Sequence, residues 1–205
     1  MKNIDKVQNL LPLGYLFLII LGITKDSIFY YQIGINIIKY SSIMDILISP
    51  IAAVTSHPVF FITILLLFIF YYNLPKILLK NEDKKWIHKF SGITKTDTEL
   101  KQLSEEEKLN CYTTASIKSL STFLISLFLG YGIADGKFLS EHIKSHKLHY
   151  NYKLNYSDEK SENVYIIGSN TAYYFYMSEG NSAIKIAPVG SIKNLELIKN
   201  RMLDK

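Results

Sequence analysis

Three histidines and a glutamate fall in the nine-residue run EHIKSHKLH, from Glu141 to His149. Imidazoles bind zinc and copper, and residues three or four apart share one helical face, so His142 with His146, or His146 with His149, has the spacing of a metal pair. His142 and His149 would stand about 10 Å apart along a helix axis, too far to share one ion. The expected metal ligands are therefore His142 and His146, against the simpler alternative of a solvated polar linker. The glutamate precedes the first histidine, whereas in the zincin pattern it follows directly and acts as base. No protease is implied.

A second set of charges interrupts an apolar segment. Lys39 and Asp45 lie among Ile33, Ile35, Ile37, Ile38, Ile43, Met44, Ile46 and Leu47. A charge at bilayer depth costs about 2.5 to 3.5 kcal/mol on insertion scales. The two residues either line a polar membrane path or reach back to the surface on their flexible stems.

Other catalytic constellations are absent. The sequence has no phosphate-cradling glycine loop, no GxSxG elbow and no CxxC pair, and its only arginine is Arg201. Cys111 is the single cysteine, so no intrachain disulfide forms. Neither enzymatic activity nor a cofactor is expected.

The elements that would carry these residues are membrane helices. Val59 to Tyr72 holds no charge, and Pro58 to Leu79 is long enough to cross a hydrocarbon core of about 30 Å. Tyr71 and Tyr72 suit an aromatic belt. Lys76, Lys80, Lys84, Lys85 and Lys89 follow directly, as cytoplasmic lysines do. Leu10 to Thr24 reads as the core of an earlier membrane helix and Leu120 to Ala134 as the core of a later one, ended by Asp135 and Gly136. The net charge of +5 is explained by lysines held at the cytoplasmic face, and nucleic-acid binding is not expected.

Between the first two spans, Ser42 and Asp45 resemble a capping box that opens a short helix ending near Pro50. Further capping boxes are legible at Thr96 with Glu99 and at Ser104 with Glu107. After residue 146 the pattern changes to alternation. Leu148 to Tyr156, Val164 to Gly168, Thr171 to Met177, Ala183 to Pro188 and Lys193 to Leu197 read as five short strands separated by polar turns.

The expected architecture is a membrane α-helical bundle plus a small C-terminal antiparallel β-barrel. Residues 1–80 hold membrane helices with an interfacial or re-entrant segment at 27–56, which would be a fourth span if it crossed. A polar cytoplasmic helical hairpin (81–113), a last membrane helix (114–136), a linker (137–146) and the barrel (147–205) follow. In strand count and spacing the C-terminal part looks like an SH3-like or Sm-like barrel, a likeness that implies a fold and little about function. In general build the chain is similar to small membrane accessory or effector proteins encoded beside bacterial antiviral systems, including those neighbouring type VI RNA-guided RNases.

Two functions fit. One is a non-enzymatic accessory or sensor protein of the cell membrane whose β-domain binds a protein partner. The other is an oligomeric channel or pore built on homo-oligomer contacts of the Ser-rich last helix. In both, the bilayer is a partner, residues 76–113 are cytoplasmic and the C-terminal domain is extracytoplasmic.

Overall fold

The computed structural model describes residues 2–56, 58–82, 84 and 102–198, and the side chains of residues 12 onward within them. The expected helix start at Thr96 and Glu99, with most of the 81–113 hairpin, lies outside the described residues.

Four α-helices and five strands make up the described chain. Helix α1 runs Lys2–Tyr31 and α2 Ile43–Thr55, separated by a short 3-10 turn at Ile37–Lys39. Helix α3 runs Pro58–Lys80 and α4 Glu105–Lys144. Three of these are long and apolar enough to cross a membrane: α1 over Pro12–Tyr31, α3, and α4. Helix α2, with 13 residues, is shorter than that.

Sequence punctuation sets several of the boundaries. Pro58 opens α3, where a missing N–H costs nothing. Both capping boxes in the described residues form: Ser42 N and Oγ donate to Asp45 at 2.7 Å each, and Ser104 N and Oγ donate to Glu107 at 2.9 and 2.8 Å. Pro50 does not end α2, which continues to Thr55.

Helix α4 departs from the sequence reading. It does not stop at Asp135 and Gly136 but continues to Lys144, so most of the expected 137–146 linker is helix. A glycine inside a helix costs up to about 1 kcal/mol against alanine, yet it lets a neighbour approach closely. At Gly132 an added Cβ would lie 2.7 Å from the Lys25 carbonyl oxygen, and at Gly136 one would meet the Gln32 side chain and, at 3.0 Å, the Phe29 carbonyl oxygen. Tertiary contact thus keeps the glycines helical. The helix ends instead at Lys144, and two residues on His146, with a φ of 53°, turns the chain, Lys147 N donating to His142 O at 3.0 Å.

The strands are β1 Tyr152–Tyr156, β2 Ser161–Ser169, β3 Tyr173–Ser178, β4 Ile184–Pro188 and β5 Ile192–Leu197. They form one antiparallel sheet in the order β4-β3-β2-β1-β5. The sheet is not closed: β4 and β5 are its two edges, joined by the 3-10 turn Val189–Ser191. Pro188 at the end of β4 has no N–H to give to a ladder there.

Both faces of the sheet are covered, by different means. On one face Phe175, fully buried, packs with Tyr30, Ile35 and Ile37 and with the partly buried Tyr40, Tyr173, Ile184 and Ile186. The ring centroids of Tyr30 and Phe175 are 5.2 Å apart. On the other face Leu154, Val164, Tyr176 and Ala187 pack among themselves, with Tyr152, Tyr156 and Leu195 around them. Ile33, Ile35 and Ile37 therefore fill the core of the sheet on this face.

The chain divides into two compact units, residues 1–50 with 129–205, and residues 51–128. In the second, α3 and the first part of α4 form an antiparallel pair. Phe60 meets Phe128, Tyr71 donates to or accepts from Ser119 at 3.0 Å, Leu78 packs on Tyr112, and Lys108 pairs with Glu82 at 2.9 Å.

Candidate functional site

His142 sits in the last turn of α4, its Nδ1 2.9 Å from Phe138 O and its ring stacked on Phe138 at 4.0 Å. His146 is exposed and lies beyond the helix in the left-handed region. Helix α4 thus ends at Lys144, between the two histidines. Among the described residues no group of three or more His, Cys, Asp or Glu side chains converges as a metal site.

Lys39 and Asp45 are not brought together. Lys39 is exposed at the end of the 3-10 turn. Asp45 caps α2 and also reaches the turn between β2 and β3, accepting from Thr171 N at 2.9 Å and from Thr171 Oγ1 at 3.1 Å. Burial pushes its carboxyl up, but the donors of Ser42 and Thr171 outweigh that and hold it below its ordinary value. Beside it Asn170 donates to Tyr40 O at 3.0 Å, and Tyr40 stacks edge-on against Tyr173. Asp45 is a tie between helix and sheet.

A polar cluster that the sequence reading passed over lies on α1. Lys25 Nζ pairs with Asp26 at 3.1 Å, Ser49 of α2 donates to the other Asp26 oxygen, and the Lys25 ammonium stands 5.5 Å from the centre of the Tyr131 ring. Nearby, Gln32 Nε2 donates to the carbonyls of Gly132 and Ile133 at 3.2 Å each. Lys25 and Asp26 adjoin a clear apolar run, which is the one signal for them in the sequence. Their partners on other elements, Ser49 and Tyr131, lie 23 and 106 positions away, which no local pattern reveals.

The third cluster belongs to the sheet. Tyr156 Oη donates to Glu162, and Tyr176 Oη is hydrogen-bonded to Tyr156 Oη. Lys185 Nζ donates to the second Glu162 oxygen at 2.7 Å and lies 5.9 Å from the centre of the Tyr176 ring. Four strands thus converge on one carboxylate. Burial raises the Glu162 carboxyl, but Lys185 and the hydroxyls beside it hold it ionised, below its ordinary value. Burial and the neighbouring carboxylate push the Tyr156 hydroxyl up, so it stays protonated and keeps donating. A cleft of about 630 Å³ opens over this cluster, walled by Ser157, Asp158, Lys160 and Ser191.

No known protein family, curated protein or solved structure matches this chain. Its reading therefore rests on these three clusters. Glu162 is held by Tyr156 and Lys185, Asp26 by Lys25 and Ser49, and Asp45 by Ser42 and Thr171. Each joins residues from different elements of the chain.

Proposed function

We propose that this chain is a non-enzymatic, multi-pass membrane accessory or sensor protein whose β-sheet domain engages a protein partner while its helices anchor that engagement. One observation carries the reading: the sheet has no core of its own on one face without Tyr30, Ile35 and Ile37 from the end of α1 and the segment after it. A load on the sheet passes into a membrane helix through packed side chains. The strand order, with a three-residue 3-10 connection between the two edges, supports the SH3-like or Sm-like outline.

The proposed orientation is supported by lysine distribution. Lys76, Lys80, Lys84, Lys108 and Lys118 favour a cytoplasmic position for 76–113, and an α4 that crosses once would leave the C-terminal domain extracytoplasmic. The natural chain offers a direct probe, because Cys111→Ser removes its only thiol. In that background a cysteine at Ser157 should react with an impermeant maleimide in intact cells and one at Lys84 only after lysis; the reverse pattern overturns the orientation. For the partner, a photo-crosslinking residue at Lys193 on edge strand β5 should trap one defined protein, and one at Leu66 of α3 should trap none. Indiscriminate labelling from both sites would defeat the partner reading.

A second reading, an oligomeric pore-forming effector, is favoured by the Lys25–Asp26 pair with Ser49 on an otherwise apolar helix. It requires ion flux in liposomes that Asp26→Asn alters. A monomer without flux refutes it.

A further inference from the structure

We propose that α2 is a monotopic helix lying in the membrane leaflet on the sheet's side, with Met44, Ile48 and Ile51 among lipid acyl chains and the Lys25–Asp26 pair marking the headgroup plane. The inference rests on the membrane reading of α1, α3 and α4 and specifies what that membrane touches. Three observations lead to it.

Length comes first. Thirteen residues rise about 20 Å, short of the roughly 30 Å of a hydrocarbon core. Helix α2 cannot cross on its own.

The tethers of α2 fix its level. Its first turn is bound through Asp45 to Thr171 in the sheet. An open sheet has two edges of unpaired backbone groups, and such edges do not occur in hydrocarbon. The start of α2 is therefore at the aqueous side. One turn later Ser49 donates to Asp26, which is paired with Lys25. Placing those two charges at headgroup level avoids the insertion cost of about 2.5 to 3.5 kcal/mol for each. In the next position Pro50 rests on Gly22, where an added Cβ would stand 2.9 Å from the proline ring, so α2 is held against α1 one turn below the charged pair. Ser49 and Pro50 thus stay within about one helical turn, roughly 5 Å, of the charged pair.

The faces of α2 supply the occupant. Ser42, Asp45 and Ser49 fall on one side of the helical wheel and are engaged by the sheet and α1. Met44, Ile48 and Ile51 fall on the far side and are 57%, 48% and 55% exposed. An apolar stripe facing away from α1 and the sheet at headgroup level is the pattern of an interfacial helix, whose apolar side enters about 5 to 10 Å into the acyl boundary. Tyr15 Oη of α1, donating to Leu47 O at 2.9 Å, lies on the membrane side of this crossing and satisfies a carbonyl there.

Depth measurement tests the inference. Nitroxides are attached to single cysteines at Met44, Ile48, Ile51 and, as reference, Leu66, all in Cys111→Ser, with the full chain in phosphatidylcholine–phosphatidylglycerol liposomes. Collision with oxygen is compared with collision with a water-soluble nickel chelate. The expected result is oxygen-dominated relaxation at one shallow depth for the three α2 labels and a deeper value for Leu66. A steady increase of about 10 Å from Met44 to Ile51 would mean a diving, re-entrant helix and overturn the proposal. Nickel access at all three would mean an aqueous face, and broadening relieved by unlabelled protein would mean a second copy; either overturns it. If Leu66 itself reads as aqueous, the membrane assignment has failed and α2 falls with it, a result distinct from failure at α2 alone.

Discussion

Helix α4 is packed in two unlike ways along its length. Up to Phe128 it meets α3 through bulk: Tyr112 and Phe128 are almost wholly buried, and they are answered by Phe60 and by Tyr71, Leu74 and Leu78, which are spaced three, four and seven residues apart. Beyond Phe128 it meets α1 through absence of bulk, with Gly132 and Gly136 four residues apart against the backbone at Lys25 and Phe29. Hydrocarbon provides no hydrophobic drive between helices, so the contact with α3 depends on van der Waals fit, and the glycine contact, level with Lys25 and beyond it, depends on close backbone approach. The bulky seam should suffer when atoms are removed, and the glycine seam when atoms are added.

The largest effect is expected from removing atoms at the bulky seam. Phe128→Ala leaves a ring-sized cavity at a fully buried site and should lower stability by about 3 kcal/mol, the lower end of the range for a buried phenylalanine, because lipid also solvates the unfolded helices. Reversible unfolding by SDS in bicelles measures it. A loss below about 1 kcal/mol would break the distinction, since the seam would then tolerate truncation.

Adding atoms at the glycine seam comes next. Gly132→Leu places its Cβ within 2.7 Å of the Lys25 carbonyl, a backbone atom that cannot swing away, and should cost about 2 kcal/mol in the same assay. Gly130→Leu is the internal control. Nothing lies within 4 Å of a Cβ there, so the change should be neutral or gain a few tenths of a kcal/mol from helix propensity. Equal losses at both positions would mean that helix propensity, and not close approach, governs this end of α4.

This contrast also marks how far the sequence could be read. The three long apolar helices, both observed capping boxes and all five strands are legible, because each depends on residues within about one turn or one strand of each other. Strand ends shift by a few residues: the first strand begins at Tyr152 and not at Leu148. Gly130 and Gly132 looked equivalent in sequence, yet only Gly132 faces a neighbour. Ile33, Ile35 and Ile37 looked like membrane residues and instead complete the core around Phe175, a partner about 140 positions away. Glu162 gathers Tyr156, Tyr176 and Lys185 from three other strands, and only the register of the sheet brings them together. What stayed hidden was in each case a contact of large sequence separation.

A third type of contact, polar and at the water side, should follow neither packing rule. Asp45→Ala removes the cap of α2 and its tie to Thr171, at a cost of about 1 kcal/mol. Asp45 is held below its ordinary value of 3.8 in the folded protein, so its contribution is complete above that value and is lost as pH falls through the depressed one. The stability gap between the natural chain and Asp45→Ala should therefore close in acid, whereas the gap for Phe128→Ala should not change with pH. A pH-independent gap at Asp45 would mean that the alanine acts through helix propensity or packing.

The smallest effect sharpens the comparison along α4. Each end of α4 carries one interhelical polar contact, Tyr71 with Ser119 at the bulky seam and Gln32 with the carbonyls of Gly132 and Ile133 at the glycine seam. Interhelical hydrogen bonds in membranes average about 0.6 kcal/mol, because the separated helices also find partners. Tyr71→Phe keeps the ring and should cost about that much. Gln32→Leu should cost more than Tyr71→Phe, because the amide is wedged against Gly136 and a branched side chain there must move the helix as well as forfeit the bonds. If the two substitutions prove equal in the bicelle assay, the amide acts only as a hydrogen-bond donor, and the close approach of α1 and α4 depends on the glycines alone.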